Sequence, residues 1–357
     1  MWSAIFYLFK YFCKLKVHYT LFLGVGVLLY CVIASDFSSG LKIGYLIYPI
    51  LLFLMMFVCI DADHSEYKNL IQVFTIGFIL SAVIGLFKDN IPSMAKIFES
   101  NPLYIQGVEE TFGIERYSGL SYDPNFFALL DCVLIAIIVY TNPKFSIVSI
   151  AQLVFLITIG FFTFSKSYIL MLFIIVIPYI IKEFGRLYKV VFFFSILILC
   201  LVIVERFTQL EVLTLIKARF DSADGANDLT TGRLDIWKYY FDHITDSLKI
   251  LMFGKGFNAP ALGKAAHNTY IDYIYRFGLI GTALWLIYFT MCFKIVKVDK
   301  KDNYNGSIFP LIILSVGIFF LSAFHFQQLW CCIMLCLLSK NILGEDIEDA
   351  EYYCTDL

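Results

Sequence analysis

The chain has 357 residues, of which 60% are hydrophobic, 18% aromatic and only 16% charged, where soluble domains carry roughly 25% charged residues. That composition excludes a soluble core-and-surface design, and a net charge of -2 leaves no basic surplus for a nucleic-acid partner. Most of the cysteines lie inside apolar stretches (Cys31, Cys59, Cys132, Cys200, Cys292, Cys331, Cys332, Cys336) and no two frame a polar loop, which excludes a disulfide framework and a zinc site.

Residues 1–18 come first, aromatic and basic with no small-residue cleavage site, and read as an interfacial segment rather than a signal peptide. Apolar runs follow at 20–34, 43–60, 70–87, 126–140, 145–164, 168–181, 190–204, 270–293, 308–324 and 329–343. They lack the alternation of barrel strands, and each must satisfy its own backbone in lipid, so helix is the predicted form. The expected fold is an all-α integral membrane protein, with a polytopic domain over 19–343 of about ten transmembrane helices and an acidic tail at 344–357.

Positive residues beside spans are retained in the cytoplasm. Lys10, Lys14 and Lys16, then Lys182, Arg186 and Lys189, then Lys294, Lys297, Lys300 and Lys301 all fall on one side when ten spans are counted. Both termini are therefore expected in the cytoplasm. The polar segments 88–125 and 205–268 face outward, the second being a large extracytoplasmic loop containing short helices. No internal repeat is visible, which counts against a transporter built from inverted halves.

Within the large loop, Thr230-Thr231-Gly232-Arg233 precedes Trp237, Tyr240, Ile244 and Leu248 at helical spacing, with Thr230 or Thr231 as the expected N-cap. Arg233 then sits in the first turn, where free N–H groups and the helix dipole already favour an anion. A merely solvated arginine is the plain alternative. The loop continues through Phe253-Gly254-Lys255-Gly256-Phe257, read as a flexible turn with a second cation, and ends at His267-Asn268 directly before a membrane run.

His267-Asn268, nine residues, then Gly278-Leu279-Ile280-Gly281 resembles the His-Asn-x9-Gly-x-x-Gly pattern of the O-antigen polymerase and O-antigen ligase superfamily of bacterial polysaccharide assembly. Gly232-Arg233 with Trp237 is similar to the family's loop motif, and Phe164-Ser165-Lys166 resembles the Ser-Arg or Ser-Lys at the outer end of a middle span. Arg116-Tyr117-Ser118-Gly119 followed by Asp123-Pro124-Asn125 looks like the family's approach to the span after the first outer loop. Two positions depart: Arg276 stands where relatives often have an acidic residue, and Lys255 lies between glycines usually separated by an apolar residue.

The resemblance implies transfer of a glycan from a polyprenyl pyrophosphate carrier to a sugar hydroxyl, with no cofactor, metal or nucleotide sugar. Residue chemistry agrees. A pyrophosphate leaving group develops negative charge that fixed cations can stabilise in a partly dry site; Arg233, Arg116 and Lys166 are the candidates, with Asn125, Lys255, Asn268 and Arg276 as further substrate-binding residues. The attacking hydroxyl must lose a proton, and imidazole, whose ordinary pKa is about 6.5, suits that work, so His267 is the expected base. Its plain alternative is an interfacial histidine at a helix start.

Other signals compete with this set. Asp61-Ala62-Asp63-His64 resembles the Asp-x-Asp metal site of nucleotide-sugar glycosyltransferases, but the charge rule puts it in a short cytoplasmic turn, where a solvated acidic loop explains it. Arg276 is one helical turn from Asp272, at a depth where function is the default reading of a charge, and a structural pair with Asp272 or Asp131 is the alternative. His325, Gln327 and Gln328 occupy the last outer turn and either line the same cavity or are simply wet. The resulting expectation is a bacterial inner-membrane polymerase of lipid-linked oligosaccharide repeats for an O-antigen, capsule or similar polysaccharide. Alternatives are a ligase onto lipid A core and, in a different class, a lipid-linked sugar flippase or transporter. The expected partners are polyprenyl-pyrophosphate-linked oligosaccharide, the lipid bilayer, and a chain-length regulator or other polysaccharide-assembly proteins.

Overall fold

The computed structural model of the chain describes residues 19–33, 64–87, 110–111, 114–121, 123–141, 146–183, 187–208, 232–256, 262, 265–296, 308–323 and 328–339. Segment 1–18, the run at 43–60, the Asp61-Ala62-Asp63 motif, His325, Gln327 and the tail 344–357 lie outside the described residues. The predicted apolar runs that fall on described residues are helical. In chain order these are α1 (Tyr19–Ile33), α2 (His64–Leu86), α3 (Pro124–Thr141), α4 (Ile147–Phe161), α5 (Lys166–Glu183), α6 (Leu187–Thr208), α9 (Thr269–Val296), α10 (Phe309–Ile318) and α11 (Gln328–Ser339). The loop contributes α7 (Arg233–Thr245) and α8 (Leu248–Phe253), and a two-residue hairpin, β1 (Glu110–Thr111) against β2 (Ile114–Glu115), precedes α3.

Among the described residues, two helices are long and apolar enough to cross a membrane by themselves, Lys68–Leu86 within α2 and Thr269–Val296. In α3, α4, α5, α6, α10 and α11 the apolar stretch is 10–17 residues long. Two departures from the predicted elements have simple causes. Gly232, not a threonine, is the N-cap of α7, in a left-handed conformation with no side-chain cap; Thr230 and Thr231 lie outside the described residues. Leu248 does not continue the α7 stripe, because Ser247 caps a new helix by accepting the Ile250 N–H at 3.2 Å.

The chain divides into two compact units, one of Asn69–Ala223 and Lys300–Gly317, the other of Met1–Lys68, Asp224–Asp299 and Ile318–Leu357. In the first, the bundle unit, α3 is packed by α4 and α5 and is buried along nearly its whole length, from Phe126 to Tyr140. A helix apolar all round is one surrounded by other helices. Its N-terminus follows directly from Asp123-Pro124-Asn125: the Asp123 carboxylate accepts the Asn125 N–H at 2.6 Å, and Pro124 occupies the first helical position, where no N–H is required. Tyr140 at the other end donates to Ile175 O at 2.6 Å and stacks on Phe309.

In the second, the loop unit, α9 packs against α1, α7 and α8. It is broken at Gly278, whose backbone (φ 64, ψ -171) is not helical. Such a break frees the carbonyls of the preceding turn, and buried carbonyls need partners. Each finds one from elsewhere in the unit. Tyr275 O accepts the Lys255 N–H at 2.9 Å, Arg276 O accepts the Gly256 N–H at 2.8 Å, and Phe277 O accepts the Tyr30 hydroxyl at 3.1 Å. The Gly254-Lys255-Gly256 stretch, expected to be a flexible turn, is a clip closed on the helix break. Gly254 and Gly278 make the approach possible: a Cβ on Gly254 would lie 2.3 Å from Arg276 C, and one on Gly278 2.4 Å from Met252 C.

Candidate active site

The described residues hold the predicted site in two groups, one in each unit. In the loop unit the buried face of α7, with Ile236, Trp237, Tyr240 and Ile244, packs on Ala266, Ile271 and Tyr275 at the start of α9. Trp237 donates its indole N–H to Ala266 O at 2.8 Å, and Tyr240 sets its ring edge-on to Tyr275. The Tyr240 hydroxyl accepts the Leu262 N–H at 3.3 Å, and burial raises its pKa above the usual phenol value. Arg233 is half-buried, four residues before Trp237 and hence on the same side of the helix, about 6 Å along the axis. That side faces Ala266.

His267, next to Ala266, is half-buried and adopts a left-handed backbone, φ 48. Histidine tolerates this region better than most residues, yet it is an uncommon conformation that surrounding structure must hold in place. Both neighbours are held. Ala266 is fixed by the Trp237 indole, and Asn268, 1% exposed, turns its side-chain oxygen onto the N–H groups of Tyr270 at 2.9 Å and Ile271 at 3.1 Å, capping α9. Thr269 adds a bond from its hydroxyl to Leu321 O and accepts the Ala323 N–H at 2.9 Å. Asn268, expected to touch substrate, thus has its carbonyl oxygen engaged in the cap that sets the angle of His267.

Further along α9, Arg276 donates its Nε–H to Asp272 at 2.9 Å, the first of its two candidate partners. Asp131, the second, is fully buried in α3 with neither carboxylate oxygen hydrogen-bonded among the described residues. Its one sequence signal was being the sole charged residue in the run 126–140. Lys255 contributes its N–H to the clip and leaves its side chain exposed.

In the bundle unit, Arg116 and Asn125 meet. Arg116, 4% exposed, donates through Nε to Thr163 O at 2.9 Å and through Nη2 to Asn125 Oδ1 at 3.0 Å. The same Asn125 oxygen accepts the Ser165 hydroxyl at 2.8 Å, and Ser165 shares a further 2.8 Å bond with Ser167. These bonds grip the turn between α4 and α5, where Phe164 is left-handed (φ 46), and Lys166 is the first residue of α5. Ser165, which joins Arg116 through the shared Asn125 oxygen, and Ser167 beyond it were not predicted as members of this group. Nothing local in the sequence shows that positions 116, 125 and 165 converge.

Residues 151–286 match the family model described as O-antigen ligase, which places this segment in the O-antigen ligase and polymerase superfamily. The matched segment runs from within α4 to within α9 and contains Lys166, Arg233, Lys255, His267, Asn268 and Arg276, while Arg116 and Asn125 precede it. Proteins of this family are bacterial membrane proteins of polysaccharide biosynthesis that act on lipid-linked glycans, and the apolar helices here fit that setting. No curated protein and no solved structure is similar enough to match.

Proposed function

From an O-antigen ligase domain over residues 151–286, we propose that the chain is a multi-pass glycosyltransferase of the bacterial inner membrane. It polymerises polyprenyl-pyrophosphate-linked oligosaccharide repeats without a metal, with about ten spans, both termini in the cytoplasm and residues 205–268 outside. The observation that carries this reading is the bracketed left-handed His267, faced by the helix side that bears Arg233. An acceptor hydroxyl oxygen attacks the anomeric carbon as His267 takes its proton; the bond from that carbon to the pyrophosphate oxygen breaks, and the electron pair leaves with polyprenyl pyrophosphate. Arg233 stabilises the charge that develops on the leaving group, as a fork of donors at a helix start is suited to do.

Arg116, Asn125 and Lys166 form the donor-binding group of the bundle unit, with Lys166 as the cation that meets phosphate and Arg116 and Asn125 as the frame beneath it. Lys255, Asn268 and Arg276 act in the loop unit through the clip and the cap. The matched description favours a second reading, ligation of the finished glycan to a lipid acceptor. Purified protein incubated with polyprenyl-linked oligosaccharide tests the proposal: a ladder of lengthened lipid-linked glycans is expected, and unchanged donor would refute it. In a deletion strain, a single attached unit without chain growth marks a polymerase, whereas unattached long chains mark a ligase.

A further inference from the structure

The clip fixes the level at which α8 lies along α9, because Gly278 packs against the backbone of Met252 and Phe253. That level can be counted from the far end of the helix. Lys294 is the charged residue near the end of α9, and Arg276 is the nearest one before it. The two are 18 residues apart, about 27 Å along a helix at 1.5 Å per residue, close to the ~30 Å hydrocarbon thickness of a bilayer. The uncharged stretch between them matches one hydrocarbon layer, so one membrane boundary falls at the Arg276–Gly278 break. Non-helical backbone is also best tolerated there.

The residues of α8 suit that level. Leu248 is 74% exposed and Phe253 52%. On the span itself, Leu279, Leu286 and Ile287 are exposed, the face that meets lipid, and Leu279 adjoins the glycine that α8 touches. Lys249 and Lys255 are exposed on either side of Phe253 in the sequence, placed for long basic side chains to reach headgroup phosphates while their stems stay in apolar surroundings. In water, the apolar surfaces of this leucine and this phenylalanine would stay hydrated, which is unfavourable.

We propose that α8 is an interfacial anchor of the outer loop, with Leu248 and Phe253 inserted at the bilayer boundary and Lys249 and Lys255 on the headgroup phosphates. The inference needs α9 as a span but not the transfer reaction, so its failure and that of the proposed activity are separate results. The anchor would keep the catalytic loop at the membrane surface, the level of a lipid carrier's pyrophosphate.

The test uses full-length protein reconstituted in liposomes, with nitroxide labels on cysteines introduced singly as Leu248→Cys, Phe253→Cys, Leu286→Cys and Asp242→Cys. Unsubstituted protein treated identically supplies the background. Relaxation by oxygen, which concentrates in lipid, is compared with relaxation by a water-soluble nickel chelate. Positions 248 and 253 should favour oxygen as position 286 does, while position 242 favours nickel. Water-like behaviour at 248 and 253 overturns the anchor, and inaccessibility of both to either reagent overturns it as well, because protein rather than lipid would then cover α8.

Discussion

Replacing Gly254 or Gly278 by alanine tests the clip that holds the outer loop to the broken span. Both glycines combine φ near +70° with an extended ψ, 76 and -173 for Gly254 and 64 and -171 for Gly278, a region essentially reserved for glycine, where another residue costs of order 1–3 kcal/mol. The added methyl carbon would also lie 2.3–2.4 Å from backbone atoms of the facing segment, which cannot swing aside as a side chain could. Opening the clip leaves the carbonyls of Tyr275 and Arg276 without the Lys255 and Gly256 N–H groups, at about 1–3 kcal/mol for each buried acceptor. That loss is the same in the unsubstituted protein and is what keeps the clip shut, so only the strain in the closed state shifts the balance: about 1–3 kcal/mol raises the open population by roughly 5- to 150-fold, at 1.4 kcal/mol per tenfold. Hydrogen exchange of the amides of Lys255 and Gly256 measures this directly. Protection should fall by at least ~5-fold in both variants, with weakened glycan assembly at normal protein levels. Gly77→Ala, where nothing lies within 4 Å of the added carbon, should leave protection and assembly unchanged. Native protection in both clip variants would refute the reasoning.

Four other outcomes follow from the site. Arg233→Lys should keep part of the activity and Arg233→Ala almost none, because a point charge replaces a bidentate fork; normal glycan assembly by Arg233→Ala at matched protein levels would reduce the residue to a solvated helix start. His267→Ala should insert and bind lipid-linked donor while turnover falls by ~10²–10⁴, and added imidazole should restore part of it. His267→Asn, which tolerates a left-handed backbone, should be equally slow; activity in that variant would mean that backbone shape, not the ring, is what matters. Asn268→Ala removes the cap of α9, with a cost of about 0.5–2 kcal/mol seen as faster exchange at Tyr270 and Ile271, whereas Asn268→Asp retains the cap. An impermeant thiol reagent should label a cysteine at Ser222 from outside and leave one at Lys300 protected, and equal protection of the two would refute this orientation.

The sequence by itself determined the helices, because their signals are local. The unbroken apolar character of a run, Asp123-Pro124-Asn125 before α3 and Ser247 before α8 act within a few residues of the chain. It also marked Arg233 and His267, through a motif whose spacing lies in one stretch. Its error over Gly254-Lys255-Gly256 has the same origin: two glycines around a lysine look like a flexible turn when read alone. Tertiary structure decided what those residues do. The clip joins positions 254–256 to 275–278, and the bond from Tyr30 to Phe277 spans 247 residues of chain. Likewise, Arg116 becomes the frame of the α4–α5 turn through a partner 47 residues away. A left-handed His267, two glycines without room for a methyl group, and an arginine engaged by a carbonyl and an amide arise from packing between distant segments, where free carbonyls and donors had to be paired, and no local pattern encodes that pairing.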